Sequence, residues 1–227
     1  MIRGNVLIVY GTKYGQTARI AARIRNVLNE RDYDVTLRAA DELPVGLCPS
    51  QFDATIVGAS MIAGKYQKSV RKFVARHRWV LNRVPSAFFA VSGAAGSTNP
   101  LEREEAHHRM EQFCRDAGWH PKLALSVAGA IAYTKYGIVT RWVMTRVSRK
   151  EGRSTDTSRD HEYTDWVQVE QFADRFADRM DEWLRRNAVA LPAAAQAAAA
   201  APTALATPEP LAPAFANHES EREPVHA

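Results

Sequence analysis

Short apolar runs alternate with helical patterns along the first 187 residues of this 227-residue chain. Strands that are apolar on both faces are typical of a parallel sheet covered by helices on each side. The runs are Asn5–Tyr10, a weaker Val35–Arg38, Ala54–Val57, Ser86–Val91 and Leu123–Val127. Helical spacing of apolar residues covers Gln16–Arg31, Lys68–Leu81, Pro100–Gly118 and Asp165–Arg186. This alternation predicts an α/β fold, a doubly wound five-stranded parallel sheet with helices on both faces.

Two segments depart from the strand–helix alternation. About thirty residues, 132–161, separate the fifth strand from the last helix, and unstructured loops of that length in compact domains are often functional. Residues 188–227 are rich in Ala and Pro and nearly lack aromatic residues, so they bury too little apolar surface to offset their ordering entropy. We therefore expect one domain over 1–187 with an insert, followed by a disordered tail.

The first strand is joined to the first helix by a polar turn, which is a candidate phosphate site. Ligands of such sheets bind at the carboxyl ends of the strands, where a helix N-terminus presents unpaired N–H groups to an anion. Glycine lets the backbone approach closely, and two threonine hydroxyls can add hydrogen bonds. The loop residues are Thr12, Lys13, Tyr14, Gly15, Gln16 and Thr17.

Among other interpretations of this turn, the sequence disfavours two nucleotide-binding sites and leaves a capping turn open. Neither a GxGxxG nor a GxxxxGK[ST] pattern follows the strand, so a dinucleotide or nucleoside-triphosphate site is not supported. The plain alternative is a capping turn in which Thr12 or Thr17 caps the helix, and the loop by itself leaves the two open.

Several segments together resemble the flavodoxins, and within them the flavodoxin-type, quinone-dependent protoporphyrinogen IX dehydrogenases of bacterial haem synthesis. TKYGQT at Thr12–Thr17 is similar to the T-x-T-G-x-T phosphate loop of flavodoxins. Val57–Val74, Pro85–Ser92 and Ser154–Phe172 resemble the dehydrogenase family, and the TDT and YTDW elements in the last of these are the most specific. The likeness covers about Val6 to Ala177.

The resemblance implies a flavodoxin-like fold that binds FMN, with the phosphate in the first loop. It also implies that loops 59–66 and 92–98 flank the isoalloxazine ring. The ring contacts expected there are Ala59, Ser60, Met61, Ser92, Gly93, Ala94, Ala95 and Gly96. Two departures from the family pattern are Gly11, where serine is typical, and the small, uncharged loop Gly93–Asn99.

In the family, the insert before the last helix serves the porphyrinogen and the membrane surface. Here residues 133–160 contain seven Lys/Arg and three acids, interleaved with apolar residues. Such a segment suits anionic lipid or a tetrapyrrole with carboxylates, and the alternative is a helix that docks on the core with a solvated basic face. The expected substrate or membrane contacts are Lys135, Tyr136, Arg141, Trp142, Arg146 and Arg149.

Composition sets the remaining bounds. The pI of about 9.4 and net charge of +5 favour anionic partners. Cys48 and Cys114 fit neither a zinc nor a disulfide pattern, so we expect two free thiols and no metal site. The N-terminus lacks a signal-peptide pattern and no run of about twenty apolar residues occurs, so we expect a cytoplasmic protein held peripherally on the inner face of the membrane.

Together these features predict an enzyme, an FMN-dependent oxidoreductase similar to protoporphyrinogen IX dehydrogenase, with menaquinone or ubiquinone as acceptor. No acid–base or nucleophilic set is predicted as catalytic, because the flavin carries the redox chemistry. No nucleic-acid partner is expected, and homo-oligomerisation stays open. Two alternatives are a soluble flavodoxin-type electron carrier, which the basic pI disfavours, and a flavodoxin-domain quinone reductase with another substrate.

Overall fold

The computed structural model describes residues 2–131 and 161–199. Its strands are β1 (Gly4–Gly11), β2 (Tyr33–Ala39), β3 (Ala54–Ile62), β4 (Lys65–Tyr66), β5 (Ser86–Ser92), β6 (Leu123–Ala128), β7 (Ala130–Ile131) and β8 (His161–Glu162). Its helices are α1 (Gln16–Glu30), α2 (Lys68–Leu81), α3 (Pro100–Ala117) and α4 (Trp166–Ala199). Contacts divide the chain into two compact units, Met1–Ala188 and Val189–Ala227.

Five parallel strands form the central sheet in the order β2-β1-β3-β5-β6. The short β4 pairs antiparallel with the end of β3. A second ribbon joins β7 to β8 antiparallel, so the two ends of the insert meet beside the sheet. The predicted fold class is confirmed.

Alternating side chains of the strands divide the core into two layers. Val6 and Ile8 of β1 face the layer built with α1 and α4, where Phe172 and Phe176 are fully buried. Leu7 and Val9 face the layer built with α2 and α3. Burial on both faces explains why the strands read as continuous apolar runs.

Most element bounds agree with the sequence patterns, and two differ. β3 continues through Ile62, so the segment predicted as a loop over 59–66 is a β-hairpin closed by β4. The last helix ends at Ala199 rather than Arg186, so it includes the first residues of the predicted disordered tail. Most residues of this extension are alanine, a strong helix former, and Pro192 lies within it. Residues 200–227 of the tail lie outside the described part.

Both cysteines are free thiols, as predicted. Cys114 is buried in the α2/α3 layer, and this burial raises its thiol pKa to about 12. The thiol therefore stays protonated and acts as a small core residue.

Candidate functional site

The three segments predicted to hold a flavin lie on neighbouring strands. β1 and β3 pair with Gly11 opposite Ala59, and β3 and β5 pair with Ser60 opposite Val91. Because all three strands are parallel, the 12–17 turn, the β3–β4 hairpin and the 92–98 loop meet at one carboxyl edge. This edge is where ligands bind in open α/β sheets.

The first loop leaves the start of α1 open to an anion. Gly15 is the N-cap residue with φ of 98°, a left-handed conformation that glycine adopts without strain. Among the described residues no side chain caps this helix, so the structure does not support the alternative of a plain capping turn made by Thr12 or Thr17. The Thr12 hydroxyl instead accepts a hydrogen bond from the Gly15 amide at 2.9 Å, which shapes the turn and leaves its own proton to donate.

Thr17 provides the test of whether this loop fits a phosphate. Its side chain is fully buried, and its hydroxyl has no hydrogen-bond partner within the described residues. The first turn of α1 contains no acidic residue to compete for the helix dipole. An FMN phosphate would accept from backbone amides at the start of α1, which no side chain caps within the described residues, and from the threonine hydroxyls, so the residues present fit the group.

Gly11 closes one wall of the loop for a steric reason. A Cβ atom added there would lie 2.6 Å from Val70 Cγ2 and 3.0 Å from Gln67 Oε1. The serine typical of flavodoxins is therefore excluded by α2, which packs against the end of β1. The packing of Val70 and Gln67 against Gly11 therefore explains why this position departs from the family pattern.

The β3–β4 hairpin contains the predicted ring contacts Ala59, Ser60 and Met61. Ala59 is fully buried, whereas Ser60 and Met61 are partly exposed at the edge. The Gln67 amide donates to the Ser60 hydroxyl, which ties the hairpin to the start of α2.

Tyr66 closes the base of this hairpin. Its ring packs edge-on against Phe88, and burial raises the pKa of the phenol. The phenol therefore stays neutral, and the hairpin end is held by apolar packing.

The loop after β5 is shaped by short-range hydrogen bonds. Ser92 Oγ accepts from the Ala95 amide at 3.1 Å, and residues 94–96 form a 3₁₀ turn. Arg103 on α3 donates to the carbonyls of Ser97 and Thr98 at 2.7 and 3.1 Å. Gly93, Ala94, Ala95 and Gly96 are thus presented on a braced turn beside the hairpin.

A polar network joins the 12–17 turn to the residues that directly follow the insert. The sequence patterns did not predict this network. Gln16 donates to Glu162 and to Thr164, both at 2.8 Å, and Arg19 pairs with Glu162 at 3.0 Å. Thr164 in turn donates to the Ala128 carbonyl at 2.9 Å. Asp165 caps α4 by accepting from the Gln168 amide.

The YTDW element, Tyr163–Trp166, was the signal that could have revealed this network. Its Thr164 contacts Gln16, and the Arg19 guanidinium lies 5.7 Å from the Trp166 ring centroid. The most family-specific residues of the chain therefore stand next to the first loop.

Part of the predicted site cannot be placed. Lys135, Tyr136, Arg141, Trp142, Arg146 and Arg149 lie outside the described residues. Over 2–131 and 161–199, no group of three His, Cys, Asp or Glu side chains could hold a metal ion. No helix of those ranges is both long and apolar enough to cross a bilayer.

Comparison with known proteins agrees with the fold. The flavodoxin domain family model matches residues 7–158, and the chain belongs to this family. A solved structure, the rubredoxin oxygen:oxidoreductase of Desulfovibrio gigas, superposes with a TM-score of 0.51 at 14% identity, covering 78% of this chain and 36% of that one. The chain is thus an FMN-binding flavoprotein, as predicted.

Curated relatives narrow the class further. Protoporphyrinogen IX dehydrogenase [quinone] of Escherichia coli (strain K12) is 29% identical over 177 residues, covering 78% of this chain and 96% of the relative. The protein with the same name in Leishmania major is 28% identical over 177 residues, covering 75% of this chain and 74% of that protein. The predicted resemblance and the prediction of an oxidoreductase are confirmed.

Proposed function

We propose that this enzyme oxidises protoporphyrinogen IX to protoporphyrin IX and passes the electrons to a membrane quinone, menaquinone or ubiquinone. The carrying observation is that two relatives named for this reaction match the chain over 177 residues each, 78% and 75% of its length. The overall change removes six hydrogens from the substrate in three two-electron steps and reduces three quinones to quinols. Bound FMN supplies the redox chemistry by accepting hydride equivalents and releasing electrons.

The residues of the chain would bind the FMN and orient its ring and the insert. Open amides at the start of α1, with Thr12 and Thr17, would hold the phosphate. The hairpin and the 92–98 loop would flank the ring, with Ser60 fixed by Gln67 and the loop fixed by Arg103. The Gln16–Glu162–Thr164 network would hold the insert against this edge.

The insert would then meet the substrate carboxylates and the bilayer. Its Lys135, Arg141, Arg146 and Arg149 would pair with propionates or lipid phosphates, and Tyr136 and Trp142 would contact apolar surface. This contact would place the protein peripherally on the inner face of the membrane.

The test is an anaerobic assay of the purified, FMN-loaded chain with protoporphyrinogen IX and a quinone analogue, read by porphyrin fluorescence. We expect fluorescence to rise above the autoxidation background only when protein and quinone are both present. A rise that matches the background, with FMN bound, would contradict the proposed substrate and favour a quinone reductase or an electron carrier.

The cofactor site has its own matched test. Thr17→Val should lower FMN retention, since the valine keeps the shape and removes the hydroxyl. Thr55→Val is the control. The Thr55 hydroxyl is also buried without a partner among the described residues, but Thr55 lies at the start of β3, at the end of the strand far from the carboxyl edge. Equal FMN loss in both variants, read from the absorption spectrum, would remove Thr17 from the site.

A further inference from the structure

One long stretch of the chain contains cations and no acids. Between Asp53 and Glu102 there is neither Asp nor Glu, whereas seven Lys or Arg residues occur. They are Lys65, Lys68, Arg71, Lys72, Arg76, Arg78 and Arg83. All seven side chains are exposed, and the central ones belong to α2.

The outer face of α2 gathers these cations around a tryptophan. At about 100° per residue, Lys68, Lys72 and Trp79 point in nearly the same direction, opposite the buried Val70, Val74 and Leu81. Trp79 is 73% exposed, which is unusual for so large an apolar ring. The Arg78 guanidinium lies 5.6 Å from its ring centroid.

These cations have no carboxylate partners in the part of the chain that the structure describes. Two of the five acids of the neighbouring α3 pair with arginines of their own helix, Glu105 with Arg109 and Glu111 with Arg115. Lys65, Lys68, Arg71 and Lys72 also line an open groove between α2 and α3, of about 900 Å³. Positive charge on this face is therefore available to an external anion.

We propose that the outer face of α2, centred on Trp79, docks the protein onto an anionic lipid bilayer. Clustered Lys and Arg around an amphipathic aromatic ring match the headgroup region, where phosphates meet the first acyl carbons. This surface is distinct from the insert and deepens the proposed function, since a quinone acceptor resides in the bilayer. Vesicle binding is measured without substrate, so it stands or fails independently of porphyrinogen oxidation.

The position of α2 gives this contact a consequence for the site. α2 begins three residues after Lys65, directly behind the hairpin predicted to flank the flavin ring. Gln67, the N-cap residue of α2, is bonded to Ser60 of that hairpin. A bilayer along the outer face of α2 would therefore reach the carboxyl edge of the sheet, where electrons must leave, at the Lys68 end of the helix, whereas Trp79 lies near the other end.

The experiment is co-sedimentation of the full-length, FMN-loaded protein with vesicles of phosphatidylcholine alone or with about a quarter phosphatidylglycerol. The test variant is Lys68→Gln/Arg71→Gln/Lys72→Gln. The matched control is Arg175→Gln/Arg179→Gln/Arg185→Gln, which removes the same charge from exposed positions on α4. Retained FMN in both variants verifies folding.

We expect the wild type to bind only the anionic vesicles and to be released by high salt. The α2 variant should bind on the order of 100-fold more weakly, from about a fivefold loss for each of the three cations, and the α4 control should stay near wild type. Trp79→Ala should weaken binding about tenfold and reduce the blue shift of tryptophan fluorescence on vesicles.

Three outcomes would overturn the proposal. One is wild-type vesicle affinity in the α2 variant, and another is an equal loss in the α4 control. The third is tighter binding to a DNA duplex than to anionic vesicles, lost in the α2 variant but unaffected by Trp79→Ala, which would assign the face to nucleic acid.

Discussion

The two helical layers that cover the sheet use basic residues in opposite ways. In the α1/α4 layer, arginines bridge elements that are distant in sequence, as Arg23 does to Glu170 at 2.6 Å and Arg31 to Asp178 at 2.6 Å. In the α2 layer, seven exposed cations have no such partner within the described ranges. In the first layer these arginines stabilise the fold through ion pairs, whereas the cations of the second layer are available to an external anion.

Asp181 shows what the paired arrangement achieves. It accepts from Tyr33 Oη at 2.5 Å and from Arg3 at 3.0 Å, and it lies 3.6 Å from Arg31. Burial alone would raise its pKa, but the Tyr33 hydrogen bond and the arginines outweigh this and hold the carboxyl pKa below its usual value. Ionised Asp181 therefore links the N-terminus, β2 and α4.

The largest expected effect tests the packing of the α1/α4 layer. Phe172→Ala removes a fully buried ring that lies edge-on to Phe89, and should lower the free energy of unfolding by about 3–5 kcal/mol. Val167→Ala on the same helix is the control, because Val167 is 62% exposed and should change it by less than about 0.5 kcal/mol. Urea denaturation measures both, and similar losses would show that α4 is not packed as described.

The next effect tests how tightly the α2 layer closes the site. Gly11→Ser restores the residue typical of flavodoxins, yet its Cβ would press on Val70. We expect a loss of about 1–3 kcal/mol of stability and weaker FMN binding, despite the added hydroxyl. Gly11→Ser/Val70→Ala should recover part of the FMN affinity, and tighter FMN binding by the single variant would refute the steric explanation.

A smaller effect sharpens the account of paired charge. Asp181→Asn should cost about 1 kcal/mol at neutral pH, since a neutral amide loses the arginines' attraction. Because the folded pKa of Asp181 is lowered, its stabilisation is present above about pH 4 and is lost as the pH falls through the folded pKa.

The variant should therefore show a shallower loss of stability in acid than the wild type, measured by urea titrations across this range. Asp34→Asn, an exposed residue of β2, is the control. An unchanged acid slope in Asp181→Asn would mean that the carboxylate does not sense its partners.

The smallest expected effect on stability comes from the unpaired layer. Lys68→Gln/Arg71→Gln/Lys72→Gln should leave the free energy of unfolding unchanged or raise it by less than about 0.5 kcal/mol, because the variant removes repulsion between cations and breaks no ion pair. The difference should shrink in high salt. A clear loss of stability would mean that these cations have a structural role, and the contrast between the layers would fail.

Much of the fold could be predicted from the sequence, because the apolar runs that indicate strands and the periodicity and end residues that indicate helices are local patterns. The apolar runs predicted all five strands of the central sheet, and α2 was predicted with both of its ends, Lys68 and Leu81. α3 begins with Pro100 behind the capping Asn99 and stops before Gly118 in a left-handed conformation. The hairpin at β3 was missed, since Lys65–Tyr66 is too short to show a period.

The candidate site was only partly predictable. The 12–17 turn follows from its place between a strand and a helix, but the absence of a cap at α1 depends on backbone angles. The contacts of Gln16 with Glu162 and Thr164 join residues about 147 positions apart, a pairing that no spacing in one sequence indicates. The acid-free composition of α2 was visible, but its exposure was not.

By itself, the sequence determined the alternation of strands and helices, the polar turn between the first strand and the first helix, and the excess of positive charge, because periodicity, turn chemistry and composition act over a few residues. Only the tertiary structure decided why Gly11 has no side chain, which arginines find carboxylates and which remain open. Those outcomes depend on distances between elements, which chain topology sets and local sequence does not encode.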